Sequence, residues 1–256
     1  MEPFDVLSSN LSAVPVSVQA SPFPLPANWP ADIKFIIDYV FSPQLNLVRL
    51  PAVSIEHAAK FNLRMLLPKP YASPFALIVR INNSKHPANG QNGLFAITDI
   101  PPNTHIVDYV GEIISADSEQ VKTSDYVLDF GGGGEGVSLE AADGREIRLA
   151  VDGAVVGNEG RMVNDFRGVP AEPDYSKRSF NKKKSATAAE FAHFANKSKA
   201  NVEFRSYVNA KTREMRMGLF CCEAKGIRKG QELLISYGKG YWASRGLDLS
   251  EMYQKQ

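Results

Sequence analysis

The sequence predicts a mainly β fold of small sheets with a few short helices, and three observations predict it. From about residue 73 onward, short runs rich in Val, Ile, Leu and Phe are punctuated by Gly, Pro, Asn and Asp, the rhythm of short strands. Residues 201–209 and 214–223 flank Ala210-Lys-Thr-Arg213 as a hairpin candidate, with Met215, Met217, Leu219 and Cys221 alternating onto one face. No Gly-x-Gly-x-x-Gly follows a strand-like run, and many short strands with few helices exclude a doubly wound nucleotide-binding sheet.

Taken in order, residues 1–30 are rich in Ser, Pro and Val and predict an extended, disordered tail. Residues 31–72 read as a small helical appendage. Apolar spacing is helical over Ala31–Tyr39 and again over Ser54–Leu66, through Ile55, Ala58, Ala59, Leu63 and Leu66. The main domain, 73–246, carries strand-like runs at 75–81, 93–97, 105–114, 125–130, 145–151, 201–209, 214–223 and 232–237. The Gly131–Gly134 run lacks the Lys-Ser/Thr of a phosphate loop and reads as a hairpin tip. Residues 168–200 form a basic insertion. From Glu172 to Lys199, seven basic residues face three acidic ones, a balance of +4, and Lys177–Lys184 is its densest part. Such a segment is a solvated insertion, a nuclear-import signal or a contact to nucleic-acid phosphate. Residues 247–256 complete the chain as a tail.

Bulk composition narrows the class. A chain of 256 residues with 44% hydrophobic and 22% charged residues buries a sizeable core. A net charge of +1 argues against nucleic-acid binding by the chain as a whole. The only cysteines, Cys221 and Cys222, are adjacent on one strand and point to opposite faces, which suits neither a disulfide nor a metal. The four histidines are scattered. A metal-free protein of a reducing compartment, nuclear or cytoplasmic with the nucleus favoured, is the expectation. Neither a signal peptide nor a membrane span is predicted.

The last third carries the chemistry. Gly157-Asn-Glu-Gly-Arg161-Met-Val-Asn164 is answered some 70 residues later by Glu232-Leu-Leu-Ile-Ser-Tyr237-Gly238. Upstream lie Gly93-Leu-Phe-Ala96 and Asp108-Tyr109-Val-Gly-Glu112. These motifs, in this order, resemble the SET-domain protein lysine methyltransferases over roughly residues 90–246. The resemblance implies a β fold of small sheets with a pseudoknot-like crossing of the Asn164 and Tyr237 segments. It implies methyl transfer from S-adenosylmethionine to a lysine of a protein, for which a histone tail is a candidate. Tyr237 matches the catalytic tyrosine and Tyr109 the lysine-channel tyrosine. Tyr126, Arg161, Asn164 and Asp165 fall at donor-binding positions, as does the backbone of Asn92, Gly93 and Leu94. Trp242 is a candidate to stack on adenine, or an anchor between surface and core. Asn158 reads as a turn cap, and Glu232 as a structural residue near the crossing.

The chemistry is consistent with that composition. Giving up the proton of a free lysine at pH ~7.4 costs about 4 kcal/mol, which an apolar aromatic channel lowers by desolvating the ammonium. Aromatic faces also favour sulfonium and ammonium cations. Four features depart from the family pattern: Gln91 before the glycine motif, Asp165 for a histidine, Ile235 two residues before Tyr237, and no cysteine-rich zinc segment on either side. Asn-Asp-aromatic-Arg-Gly is similar to fungal SET proteins. The departures keep a second reading open, a catalytically silent SET module that binds proteins or acts as a chromatin adaptor. Residues 105–130 hold six acidic side chains and one lysine. They read either as an acidic rim for a basic peptide or as a solvated face.

Overall fold

The computed structural model describes residues 24–47, 49–69, 71, 73–130, 138–140, 146–167, 169–171, 196–197, 199–238 and 241–242. The predicted terminal tails fall largely outside them, and so do Gly131–Gly134 and Lys177–Lys184. In chain order come β1 (Lys34–Phe35), β2 (Val40–Phe41), helix α1 (Ile55–Lys60), β3 (Met65–Leu66), β4 (Ala76–Arg80) and β5 (Asn92–Ala96). Next are β6 (His105–Asp108), β7 (Glu112–Ser115), helix α2 (Glu119–Thr123), β8 (Val127–Asp129), β9 (Ser138–Glu140), β10 (Glu146–Asp152) and β11 (Val156–Gly157). The chain continues through a 3-10 helix (Glu159–Met162), β12 (Asn164–Asp165), β13 (Pro170–Ala171), β14 (Asn196–Lys197), β15 (Val202–Asn209), β16 (Met215–Cys221) and β17 (Leu234–Ile235).

These strands build small sheets. One runs β2-β7-β10-β8 with β9 on β10, and another runs β3-β15-β16-β6. Four two-stranded pairs, β1-β11, β4-β5, β12-β17 and β13-β14, complete the described set. The mainly β fold is thus as predicted. So is the β15–β16 hairpin, antiparallel from Val202↔Cys221 to Val208↔Met215.

Its expected one-faced alternation is not found, because every residue of β16 is buried. Met215 and Met217 enter one core with Ile113, Leu149 and Val151. Leu219 and Cys221 enter another with Ile78, Leu94 and Leu233. A register shift between Leu219 and Phe220, against β6, marks where the strand is re-aimed. Each Leu or Ile so buried contributes about 1.5–3 kcal/mol of transfer free energy.

The helical appendage is corrected in two places. Ala31–Tyr39 is not helical: Lys34–Phe35 pairs in parallel with Val156–Gly157, and Val40–Phe41 follows with Glu112–Ile113. A nine-residue helix is marginal by itself, and strand pairing with Phe35 buried is the better bargain. The second helix starts as predicted, with the Ser54 side chain accepting from His57 N at 3.0 Å, but it stops at Lys60. Leu63 N bonds Ala58 O and Asn62 N bonds Ala59 O, with Asn62 at φ 51°, a left-handed helix stop. Met65–Leu66 then pairs with β15.

The long run 105–114 also divides. Tyr109-Val-Gly111 carries the chain from one sheet to the other, and a Cβ on Gly111 would sit 2.3 Å from Asp152 O. Only Gly can follow that path.

Candidate active site

The predicted crossing takes the form of a two-residue parallel ladder, Asn164↔Leu234 and Asp165↔Ile235. Leu233, Leu234 and Ile235 are buried and hold this ladder to the core. Asn201 locks it from the far side: its amide donates to Glu232 O and its oxygen accepts from Leu234 N, both at 2.8 Å. Pairing therefore sets the Asn164 and Tyr237 segments side by side at the wall of a cleft of about 1060 Å³.

Seven of the ten candidate residues line that cleft: Asn92, Tyr126, Arg161, Asn164, Asp165, Tyr237 and Trp242. The other three lie behind it. Leu94 is a fully buried core residue. Gly93 is buried as well, and a Cβ there would lie 2.7 Å from Glu232 Oε1. The missing side chain thus makes room for the Glu232 carboxylate. Tyr109 is buried, and its hydroxyl donates to Tyr126 O at 2.6 Å. A Cβ on Gly153 would meet that hydroxyl at 2.7 Å.

Tyr237 is 36% exposed and its hydroxyl donates to Val163 O at 2.9 Å, back across the crossing. Burial of the phenol, followed by the neighbouring Tyr241, Tyr126 and Asp165, pushes its pKa above the ordinary tyrosine value. Burial does the same to Tyr109. Both remain neutral phenols. Gly238 follows at φ 85°, a left-handed conformation that glycine adopts without strain. Tyr241 packs edge-on to Tyr237 at 4.7 Å, and Trp242 lies nearly parallel to it at 6.4 Å.

Arg161 is committed to its own protein. Nε donates to Gly153 O at 2.7 Å and Nη2 to Ala154 O at 3.3 Å. Its guanidinium lies 4.2 Å from the centre of the Tyr126 ring, so it stiffens the wall and holds that ring in place. Asn158 caps the 3-10 helix as predicted, accepting from Gly160 N at 3.2 Å.

Asp165, where the family pattern has histidine, is a clamp. Oδ1 accepts from Arg167 N at 2.8 Å. Oδ2 accepts from Arg167 Nη1 at 2.8 Å, Tyr237 N at 2.7 Å and Trp242 Nε1 at 3.4 Å. Its carboxylate thus ties Tyr237 N and the Trp242 indole to one point. Trp242 is therefore anchored while still lining the cleft.

Asn164 Nδ2 donates to Asn92 O at 3.2 Å and to Glu232 Oε1 at 3.0 Å. The other carboxylate oxygen, Oε2, meets His86 Nε2 at 3.0 Å. Sequence reasoning missed His86, Arg167 and the N-terminal wall of the cleft. Asn28 and Trp29, placed in the disordered tail by composition, both line it. Asn28 donates to Ile78 O at 2.7 Å and accepts from Asn92 Nδ2 at 3.2 Å. An Asn-Trp pair inside a Pro-rich run was the available signal.

The six acids read from residues 105–130 are not all at the surface. Asp108 is fully buried, bonded by Tyr207 Oη at 2.7 Å and lying 3.4 Å from Arg216 Nη2. Asp117 and Asp129 share Arg148 at 3.3 and 3.7 Å, and Glu119 pairs with Lys122 at 2.6 Å. Asp125 lines the cleft itself. Among the described residues, no cluster of His, Cys, Asp and Glu could hold a metal ion, and no helix is long and apolar enough to cross a membrane.

A family model described as SET domain matches residues 91–238. No curated protein sequence matches the chain. Among solved structures, a humanized mutant of the Polycomb Repressive Complex 2 of Chaetomium thermophilum, bound to an inhibitor, aligns at 22% identity and a TM-score of 0.38. It covers 72% of this chain, which spans only 17% of that one. The same complex in an autoinhibited conformation, bound to S-adenosylmethionine, aligns at 21% identity and a TM-score of 0.37, over 72% of this chain and 17% of that one. ATXR5, in complex with histone H3.1 mono-methylated on an arginine, aligns at 15% identity and a TM-score of 0.46, over 81% of this chain and 82% of that one.

Proposed function

The chain belongs to the SET-domain family, and we propose that it transfers a methyl group from S-adenosylmethionine to a lysine side chain of a protein. A histone tail is the first substrate candidate, and the nucleus the favoured location. One observation carries this reading: the β12–β17 ladder sets Asn164 beside the Tyr237 segment at one cavity, which Tyr126 also lines.

The residues present fit the donor. A cavity of about 1060 Å³ is at the upper end of small-ligand sites, and its lining mixes five aromatic rings with eleven polar or charged side chains. Tyr126, Tyr237 and Trp242 would offer faces to its cationic and purine parts. Both amide hydrogens of Asn164 are spent on Asn92 and Glu232, so Oδ1 remains as an acceptor for an ammonium group. The bound donor supplies an already activated methyl group, so the protein's work is positioning and desolvation.

Tyr237 donates its own proton to Val163 O and keeps lone pairs for an N–H of the incoming amine. Tyr109, buried behind the cleft, supports the approach from there by its hydrogen bond to Tyr126 O. With burial holding both phenols neutral, neither serves as a general base. The lysine therefore loses its proton to solvent before transfer. Arg161 keeps the Tyr126 ring in place from behind.

Calorimetric titration with S-adenosylmethionine tests the donor site. Wild-type binding in the micromolar range, about −8 kcal/mol, collapsing in Asn164→Ala, is the expected result. Tyr237→Phe should then lower turnover on a methyl-accepting peptide by about 10²-fold or more, as loss of one positioning group does. No binding by the folded wild type would sink the proposal and favour the silent interaction module that Asp165 and Ile235 keep open. A phosphate contact through Lys177–Lys184 is a separate proposal, read by salt-sensitive DNA binding that deletion of those residues abolishes.

A further inference from the structure

The loop 82–91 turns back on itself to bring His86 inward. His86 N bonds Asn83 O, Asn89 N bonds His86 O, and Gly90, at φ 81°, returns the chain to Ile81 O. His86 is left only 7% exposed, at the edge of the cleft. Both of its ring nitrogens are engaged. Nδ1 accepts from Ala88 N at 3.0 Å, which places the proton on Nε2 and makes Nε2 a donor to Glu232 Oε2 at 3.0 Å.

Glu232 is itself 8% exposed, and a carboxylate so buried requires hydrogen-bond donors on its oxygens. His86 supplies one oxygen and Asn164 Nδ2 the other. The direction of each bond is then fixed along the line. Ala88 N–H sets the His86 tautomer, His86 sets the rotation of the Glu232 carboxylate, and Glu232 attracts the nitrogen rather than the oxygen of the Asn164 amide. Gly93 contributes by leaving the space in which that carboxylate sits.

We propose that His86 is a positioning residue for the donor site: through Glu232 it holds the Asn164 amide with its oxygen toward the cleft. This inference rests on the donor-binding reading of Asn164 given above. His86 takes no part in the chemistry itself, since neither ring nitrogen is left to reach a substrate.

Two measurements on the full chain separate the inference from the reading beneath it. The first needs no donor. The side-chain amide protons of Asn164, followed by ¹⁵N NMR, should shift and exchange faster in His86→Phe and return toward wild-type behaviour in His86→Gln, whose amide can again donate to Glu232. The second is calorimetric binding of S-adenosylmethionine. His86→Phe should bind about tenfold more weakly, the size of one lost hydrogen-bond link, and His86→Gln should recover most of that loss. With a methyl-accepting peptide, KM for the donor should rise while kcat stays near its wild-type value. Unchanged Asn164 amide signals in a folded His86→Phe would overturn the inference. So would equal weakening in His86→Phe and His86→Gln, since packing alone would then explain the effect. Wild-type protein that shows the NMR coupling but binds no donor would instead overturn the donor reading.

Discussion

Removing the Asp165 carboxylate should unfasten Tyr237 and Trp242 at a cost measurable in stability. The side chain is 5% exposed and holds a guanidinium, a backbone N–H and an indole N–H at once. In Asp165→Ala, Arg167 keeps Ser236 Oγ at 3.3 Å and the Phe166 ring at 4.7 Å, and among the described residues its buried Nε has no hydrogen-bond partner. Breaking a buried ion pair by deleting one partner costs about 3–5 kcal/mol, mostly from the charge left behind. Asp165→Asn keeps the shape and one acceptor, so its loss should be nearer 1–3 kcal/mol. Urea unfolding followed by circular dichroism measures both. Truncating Arg167 as well should recover part of the loss, giving a double-mutant cycle that is not additive. Tryptophan fluorescence of Asp165→Ala should also change before global unfolding, because Trp242 loses its anchor. Asp165→Ala within ~0.5 kcal/mol of wild type, with an additive cycle, would refute the clamp.

Two other perturbations test the packing around the site. Gly93→Ala drives a methyl to 2.7 Å from Glu232 Oε1 and 3.0 Å from Ile81 and Phe95; thermal unfolding should show a loss of about 1–3 kcal/mol, with Asn164-dependent donor binding weakened alongside. Alkaline pH acts on the whole fold: burial raises the phenols of Tyr39, Tyr109, Tyr207 and Tyr237 above the ordinary value. Above pH ~10 the unfolded chain releases protons that the folded chain keeps, so stability should fall by about 1.4 kcal/mol per pH unit for each of the buried Tyr39, Tyr109 and Tyr207, and by less for Tyr237, which is 36% exposed. Denaturant titrations from pH 8 to 11 check the slope, and a flat profile would contradict it.

The site was legible in part. Asn164, Tyr237, Tyr126, Arg161 and Trp242 were found through motif, and the structure brings them to one cleft. What they bond to was not legible. Arg161 faces its own backbone, Asp165 clamps a turn, and the Glu232 carboxylate occupies the space that Gly93 leaves open. Composition also misled wherever it summed charges without geometry: Asp108 counts toward an acidic face yet lies fully buried against Tyr207 and Arg216.

By itself the sequence determined what depends on near neighbours: many of the strand-like runs of 73–238, the β15–β16 hairpin, the start of the helix after Ser54 and the Asn158 cap. Backbone sterics and side-chain alternation act over a few residues, so their signals are written locally. Tertiary structure alone decided that Ala31–Tyr39 is extended, that β16 serves two cores, and that His86 meets Glu232 across 146 residues of chain. Such outcomes rest on strand partners and buried hydrogen bonds between distant segments. A buried polar group takes whichever partner the fold delivers, and no local pattern specifies which one that will be.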